Sequence, residues 1–166
     1  MTSQSSFAIA NYFIWKAAEE KVPLTPMKLI KLVYLAHGWS LGLTGKPLLR
    51  EPIEAWKFGP VIESLYHAYK RYGNHPLPAN SATRAEIQGE DAAEIKRLLD
   101  KVWNSYKKYS AAQLSTLTHQ PDTPWSKVHD PNSFYTVIPD KLIAEHYQQI
   151  DERRRPAQRK RPAFAG

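Results

Sequence analysis

Cysteine is absent from the 166-residue sequence, which excludes a disulfide framework and any metal site built on thiolates. The chain also lacks a long hydrophobic run: the longest, residues 32–36, falls far short of the ~20 residues that a membrane-spanning helix needs. The first six residues carry no charge, so no basic segment precedes an apolar core as it does in a secretory signal. These absences predict a cytoplasmic protein without a membrane segment.

The net charge of +7 is concentrated near the C-terminus. Residues 151–166 contain six basic and two acidic side chains, which gives +4 there and leaves +3 for residues 1–150. A small surplus spread over a folded body says little about nucleic-acid binding. The terminal segment also contains two prolines and little apolar surface to bury. We therefore predict one domain over residues 1–150 and a disordered basic tail over residues 151–166.

Apolar residues recur at helical spacing along most of the chain. Residues 27–41 are apolar almost all round, apart from Lys28 and Lys31, as in a helix packed on most sides. Thr25 followed by Pro26 predicts the start of this helix, with a capping hydroxyl and a proline in the first turn. The clearest one-sided stripe is formed by Ile95, Leu98, Leu99, Val102, Trp103 and Tyr106.

Residues 46–59 alternate with a period closer to two, which predicts a short β-hairpin. Gly59 and Pro60 are then expected to open another helix, which Gly73 ends. A capping-box pattern at Ser110 and Gln113 and a last helix after Pro139 complete the elements. The predicted fold class is mainly α, a single compact helical domain of about six helices with a small inserted β-hairpin.

Two short motifs imitate enzyme signatures. Residues 38–42, GWSLG, match the G-x-S-x-G nucleophile elbow, but that elbow needs a strand before the serine, and a helical pattern precedes Ser40. Residues 42–46, GLTGK, resemble part of a phosphate loop, but Pro47 occupies the position of the required Ser or Thr. We interpret them as a helix C-terminus and an ordinary turn, and we predict that the chain is not an enzyme.

The six histidines are scattered along the sequence. Glu63 and His67 lie one helical turn apart, but a typical zinc site needs three or four ligands. We therefore predict no metal site and no cofactor.

The aromatic residues are numerous, with five tryptophans and nine tyrosines. Trp15, Trp39 and Trp103 lie on apolar stripes and are expected inside the fold. In contrast, Trp56 and Phe58 flank Lys57 in the predicted hairpin, and two tyrosines and an arginine follow at Tyr66, Tyr69 and Arg71. Tryptophan, tyrosine and arginine dominate the hot spots of protein interfaces. The residues alone leave two interpretations open, the rim of the core or a surface for a partner.

Several blocks of sequence resemble the Panacea domain, a family also described as SocA-like or phage-associated. The longest are residues 27–41 (MKLIKLVYLAHGWSL), 45–48 (GKPL) and 52–61 (PIEAWKFGPV), followed by Leu65 and Tyr66. Residues 114–119, 124–125, 138–139 and 142–143 match later blocks in the same order. The resemblance covers about residues 5–150, and the ordered set is more specific than any one block.

This resemblance implies an antitoxin of a toxin–antitoxin system, which neutralises a cognate protein toxin by direct contact. One branch of the family resembles a proteolytic adaptor that delivers its toxin to the ClpXP protease. Neither role needs a cofactor or a catalytic residue. Together with the aromatic pattern, the resemblance leads us to predict a partner-binding surface formed by Trp56, Lys57, Phe58, Tyr66, Tyr69, His119 and Trp125.

Other functions remain open at this point. A nucleic-acid-binding regulator would use the basic tail, although no helix rich in Arg, Asn or Gln stands out as a recognition helix. An enzyme would need one of the motifs set aside above. The identity of the toxin, the mode of neutralisation and homo-oligomerisation are not determined by the sequence.

Overall fold

The computed structural model describes residues 2–159, with side chains described through residue 155. Within that range the chain forms seven α-helices and one two-stranded antiparallel sheet, which confirms the mainly helical class. The elements are α1 (Ser6–Glu20), α2 (Pro26–Thr44), β1 (Glu54–Trp56), β2 (Gly59–Val61), α3 (Glu63–Tyr69), α4 (Ala92–Tyr106), α5 (Ala111–His119), α6 (Pro124–Val128) and α7 (Asp140–Arg159). Single 3₁₀ turns cover Lys70–Tyr72 and Ala79–Ser81.

Helix α2 is the centre of the fold, as its apolar pattern predicts. The Thr25 hydroxyl accepts a hydrogen bond from the Lys28 amide, Pro26 lies in the first turn, and Gly45 ends the helix with φ 73°. Nearly every residue from Pro26 to Leu41 is buried, and α7, α5, α1 and α4 all pack against the helix. This arrangement makes α2 the element on which the other helices are positioned.

The closest helix contact joins α2 to α7 at two glycines. A Cβ on Gly42 would lie 2.5 Å from the Cβ of Tyr147 and 2.9 Å from its carbonyl carbon. A Cβ on Gly38 would lie 2.4 Å from the Tyr147 ring. Neither position has room for a side chain, because the backbone of α7 lies against Gly42 and the ring of Tyr147 lies against Gly38. Between them, the buried Ser40 hydroxyl donates to the Lys46 carbonyl (2.7 Å), and helix α2 itself leads into this serine.

The hairpin differs in position from the prediction. Its strands pair Glu54 with Val61 and Trp56 with Gly59, so Gly59 and Pro60 belong to β2 and the helix opens only at Glu63. The prediction of a helix start at Gly59 is therefore wrong. The cause is that a Gly-Pro step suits a hairpin strand as well as a helix start, and Gly59 has φ 114°, a backbone conformation that strongly favours glycine.

Residues 136–138 line the free edge of β1 and fix the hairpin to α7. The Ala55 amide donates to the Thr136 carbonyl and the Ile138 amide to the Ile53 carbonyl, both at 2.8 Å. The buried His37 of α2 links the same region, because its Nδ1 accepts from the amides of residues 48 and 49 while its Nε2 lies 2.9 Å from the Asp140 carboxylate. The hairpin is thus tied to residues 136–138, and the segment that leads into it is tied to α2.

Two expectations fail at the periphery. Trp15 is 49% exposed rather than packed inside, whereas Trp39 and Trp103 are buried as predicted. The predicted disordered tail is wrong for residues 151–159, because α7 continues to Arg159 and an ion pair joins Arg155 to Asp151 at 2.9 Å. Residues 160–166 lie outside the described residues. None of the helices in the described chain is long and apolar enough to cross a membrane.

Candidate functional site

The tip of the hairpin packs against α2 and α5. Lys57 and Phe58 form a two-residue turn, and the Ser115 hydroxyl of α5 donates to the Phe58 carbonyl (2.7 Å). A Cβ on Gly59 would lie 3.1 Å from the Lys31 Nζ and 3.2 Å from the Thr118 hydroxyl, so the backbone fits closely there. The Phe58 ring nevertheless points outward and is 56% exposed.

An aromatic cluster surrounds this tip. Trp56 packs edge-on against Tyr66 of α3 with 4.8 Å between ring centroids, and the Trp125 indole donates to the Trp56 carbonyl (2.6 Å). Trp125 in turn contacts His119 edge-on at 5.2 Å and stacks on His129 at 4.2 Å. The structure therefore brings together six of the seven predicted site residues: Trp56, Lys57, Phe58, Tyr66, His119 and Trp125.

Tyr69 does not join this surface. It is 2% exposed, and its hydroxyl donates to the Ser81 carbonyl at 3.3 Å. Burial raises the pKa of this phenol above its ordinary value. Tyr69 is a core residue of α3, so the prediction that it lies in an outward-facing partner surface is wrong.

A first groove lies between α2, the hairpin and α3, and we call it the lysine groove. It has a volume of about 470 Å³, and its walls include Met27, Ile30, Lys31, Phe58, Tyr66 and Lys70. The ammonium groups of Lys57 and Lys70 lie over the rings of Phe58 and Tyr66, at 5.4 and 6.0 Å from the ring centroids. None of the residues that line this groove is acidic.

Lys31 is the buried cation of the lysine groove. Its side chain is 2% exposed, and its Nζ donates to the Pro60 carbonyl at 2.9 Å. Burial lowers the pKa of Lys31 to about 7, because a low-dielectric surrounding disfavours the charged form. No carboxylate of the described residues forms an ion pair with it.

A second groove lies on the other side of the hairpin, and we call it the acidic groove. It has a volume of about 540 Å³, and its walls include Trp56, Glu63, His67, His129, Phe134 and Tyr135. Glu63 lies 3.3 Å from the His67 Nε2. Nearby, the carboxyl of Glu54 is almost fully buried, and burial together with the adjacent Glu63 raises its pKa.

Exposed apolar side chains are concentrated around the two grooves. Among the described residues, Met27, Phe58, Tyr66, Phe134 and Tyr135 are large, exposed and part of a groove wall. Sequence reasoning missed the last two, although two consecutive aromatics beside the Pro131–Asn132 step signal a loop that displays them. It also missed the role of Lys31, whose signal was a lysine inside an otherwise apolar helix. Among the described residues there is no group of three or more metal-binding side chains.

The comparison with protein families identifies the class of this fold. The family described as Antitoxin SocA-like, Panacea domain, matches residues 29–126, which is more than half of the chain. The matched range includes most of α2, the whole hairpin, α3, α4 and α5. The chain therefore belongs to the SocA-like Panacea antitoxin family, as the resemblance predicted.

Among curated proteins, the chain is similar to Antitoxin SocA of Caulobacter vibrioides (strain NA1000 / CB15N). The two sequences are 30% identical over 152 residues, which cover 85% of this chain and 81% of that protein. The similarity thus extends beyond the range of the family match. No solved structure matches the chain.

Proposed function

We propose that this protein is a cytoplasmic, non-enzymatic antitoxin that neutralises a cognate protein toxin by binding it with the hairpin tip and the two grooves beside it. The observation that carries the proposal is the concentration of exposed aromatic side chains, Phe58, Tyr66, Phe134 and Tyr135, in the grooves beside one hairpin. Exposed apolar patches of this kind mark interaction sites in monomeric proteins. Membership of an antitoxin family supports the same conclusion.

The way the surface is held also favours binding. The hairpin is fixed by the Ser115 and Trp125 hydrogen bonds on one side and by residues 136–138 on the other. A preorganised surface loses little conformational entropy on association, so more of the contact energy appears as affinity. The aromatic side chains supply large contact areas of the type found in interface hot spots.

Co-expression with the products of the neighbouring genes tests the proposal. Each neighbour is induced alone and together with this chain, and growth and co-purification are measured. We expect one neighbour to be toxic alone, harmless with the wild-type chain, and co-purified with it. The F58A/Y66A double variant should fold normally but fail to rescue growth.

Trp15→Ala is the matched control, because Trp15 is a similarly exposed aromatic that lines neither groove. It should rescue growth as the wild type does. If F58A/Y66A and W15A behave alike, the hairpin surface is not the binding site. If no neighbour is toxic or bound, the antitoxin proposal itself fails.

Two modes of neutralisation give different toxin levels in the same experiment. An antitoxin that masks its toxin leaves the toxin protein abundant and bound, whereas an adaptor for ClpXP shortens the toxin half-life and loses its effect in cells without that protease. Toxin half-life measured after translation is stopped separates the two modes. Light scattering of the purified complex reports whether the chain acts as a monomer or as a homo-oligomer.

A further inference from the structure

When Lys31 is protonated, it carries a buried positive charge that no carboxylate of residues 2–159 pairs with. Its ammonium has three N–H donors, and the Pro60 carbonyl is the acceptor that it contacts within residues 2–159. Buried cations in proteins are normally paired with an anion, because desolvation of an unpaired charge is costly. The counter-ion of Lys31 is therefore missing from the described part of the chain.

Lys31 lies against a groove that has room for a ligand group. Lys31 is part of the wall of the lysine groove, where the apolar side chains of Met27, Ile30 and Val61 lie beside it. Two more lysines, Lys57 and Lys70, line the same groove, and no acidic residue does. The groove thus combines an apolar lining with an uncompensated positive charge at its wall.

We infer that the lysine groove receives an acidic side chain or a terminal carboxylate of the partner polypeptide, with Lys31 as its counter-ion. The apolar walls contact the aliphatic part of that residue, and the carboxylate takes up ammonium donors that the Pro60 carbonyl leaves free. The inference deepens the proposed function, since the partner is the toxin bound by the hairpin surface. It gives that partner a chemical feature, an acidic residue that enters a hydrophobic groove.

A small probe tests the groove without the toxin. N-acetyl-leucine offers one carboxylate and one apolar side chain, and N-acetyl-leucinamide is the uncharged match. At about −0.3 kcal/mol per non-hydrogen atom, a probe with roughly 12 such atoms has a Kd in the low millimolar range. Binding is followed on the full chain by the NMR signals of the lysine side chains.

We expect the acid to shift the Lys31 signal and the amide to bind at least about tenfold more weakly, a difference of about 1.4 kcal/mol. Lys31→Met keeps the length of the side chain and removes its charge, so it should lose the preference for the acid. Lys70→Met makes the same exchange at an exposed lysine of the same groove. It should weaken acid binding by less than about fivefold, as expected for a solvent-exposed charge.

Acid binding should also depend on pH. Lys31 loses its proton above about pH 7, so binding of a carboxylate there requires proton uptake, and affinity should fall about tenfold from pH 6 to pH 8. The other titratable groups near this ammonium are Lys57, Lys70 and Tyr66 in the groove and His119 beside Gly59. His119→Asn should keep the pH dependence of acid binding, because that dependence arises from the protonation of Lys31.

Three outcomes would overturn the inference: no binding of the acid, equal binding of acid and amide, or unchanged acid binding by K31M. A K70M variant as impaired as K31M would also do so, because exposed charges would then account for the affinity. These outcomes are independent of growth rescue by the whole protein. A failed probe with successful rescue refutes only the carboxylate site, and a successful probe without any toxin refutes only the antitoxin proposal.

Discussion

The two sides of α2 are packed in opposite ways. On the side of α7, Gly38 and Gly42 lie so close to Tyr147 that no side chain fits at either position. On the side of the hairpin, Lys31 is buried without a carboxylate partner beside a groove of about 470 Å³. The first side is complete in the isolated chain. The second side contains a buried lysine and exposed aromatic surfaces that folding alone does not require, and this difference is the basis for proposing that a partner covers the hairpin side.

The two grooves beside the hairpin differ in the charge of the residues that line them. They share Trp56 and Lys57 as walls, yet the lysine groove has no acidic lining residue, whereas the acidic groove contains Glu63 and Asp130. Complementary charge contributes to partner choice and association rate more than to affinity. A partner that fits both grooves needs apolar contacts throughout and charges of opposite sign on either side of the hairpin.

The largest effect on stability is expected from Gly42→Ala, on the side of α2 that faces α7. The new methyl group would overlap the backbone of α7. Overpacking against backbone should cost about 3 kcal/mol, the upper end of the usual range for overpacked cores. Urea unfolding followed by circular dichroism measures this loss. Leu43→Ala, at the exposed neighbouring position of the same helix, should change stability by less than about 0.5 kcal/mol. Equal midpoints for the two variants would contradict the tight packing of α2 on α7.

On the side of α2 that faces the hairpin, Lys31→Met should stabilise the protein. The pKa of Lys31 is about 7 in the folded chain and about 10.4 in an unfolded one, so between these values the unfolded state binds more protons. The free energy of unfolding of the wild type therefore rises as the pH rises from 7 to 10. K31M lacks the contribution of Lys31 to this rise and should exceed the wild type by roughly 2 kcal/mol or more at pH 6, where the buried ammonium is mostly charged.

The measurement is a set of urea titrations from pH 6 to pH 10 on both proteins. Burial also lowers the pKa of Lys28, so some of the slope persists in K31M, and the difference between the two curves is the readout. Lys70→Met, at an exposed lysine, should run parallel to the wild type. If the curves for K31M and the wild type are parallel, Lys31 is not a buried cation that destabilises the folded state.

The elements that depend on local chemistry could be predicted from the sequence. The Thr25–Pro26 start of α2 and the Ser110–Gln113 capping box are present as predicted, because caps use residues within one turn of each other. The central position of α2 followed from its all-round apolar pattern. The hairpin register could not be predicted, since it is fixed by distant contacts of residues 136–138 and of α5 with the hairpin backbone.

The candidate site likewise contains residues that local sequence patterns predict and residues that depend on tertiary contacts. Tyr69 shares the apolar face of α3 with Leu65, so helical periodicity alone assigns it to the core, where the structure has it. Trp56, Phe58 and Tyr66 were found from their residue types and the hairpin pattern. Phe134 and Tyr135 lie in a loop without periodicity, and their place beside Trp56 depends on tertiary structure. The missing counter-ion of Lys31 becomes visible only when its neighbours are known.

A comparison of the two grooves comes from Phe134→Ala, which removes a 76% exposed ring from the acidic groove. Stability should change by less than about 0.5 kcal/mol, because the ring is mostly in solvent. Affinity for the toxin should fall by about tenfold, or about 1.4 kcal/mol, if both grooves contact it. Calorimetric titration of the co-purified toxin gives the value. An unchanged affinity, next to a reduced one for F58A, would confine binding to the lysine groove.

A smaller effect is expected from Arg154→Ala near the end of α7. The guanidinium lies over the Trp39 ring, 5.1 Å from its centroid, and an exposed cation–π contact contributes about 0.5–1 kcal/mol. The loss should appear in urea unfolding and not in toxin affinity, because Arg154 lines neither hairpin groove. A normal stability with reduced affinity would move part of the toxin contact to α7.

The smallest effect is expected for nucleic acid. Fluorescence anisotropy of a labelled DNA duplex, titrated at several salt concentrations, compares the full chain with one ending at Arg155, which lacks the basic residues Arg159, Lys160 and Arg161. Each phosphate neutralised contributes about −0.9 to the slope of log K against log salt, so the deletion can remove at most about 3 from that slope. We expect weak binding with a shallow slope for both proteins, since Arg154 and Arg155 are already engaged by Trp39 and Asp151. A slope that the deletion lowers by about 3 would make the basic residues after Arg155 a nucleic-acid contact, separate from the hairpin surface.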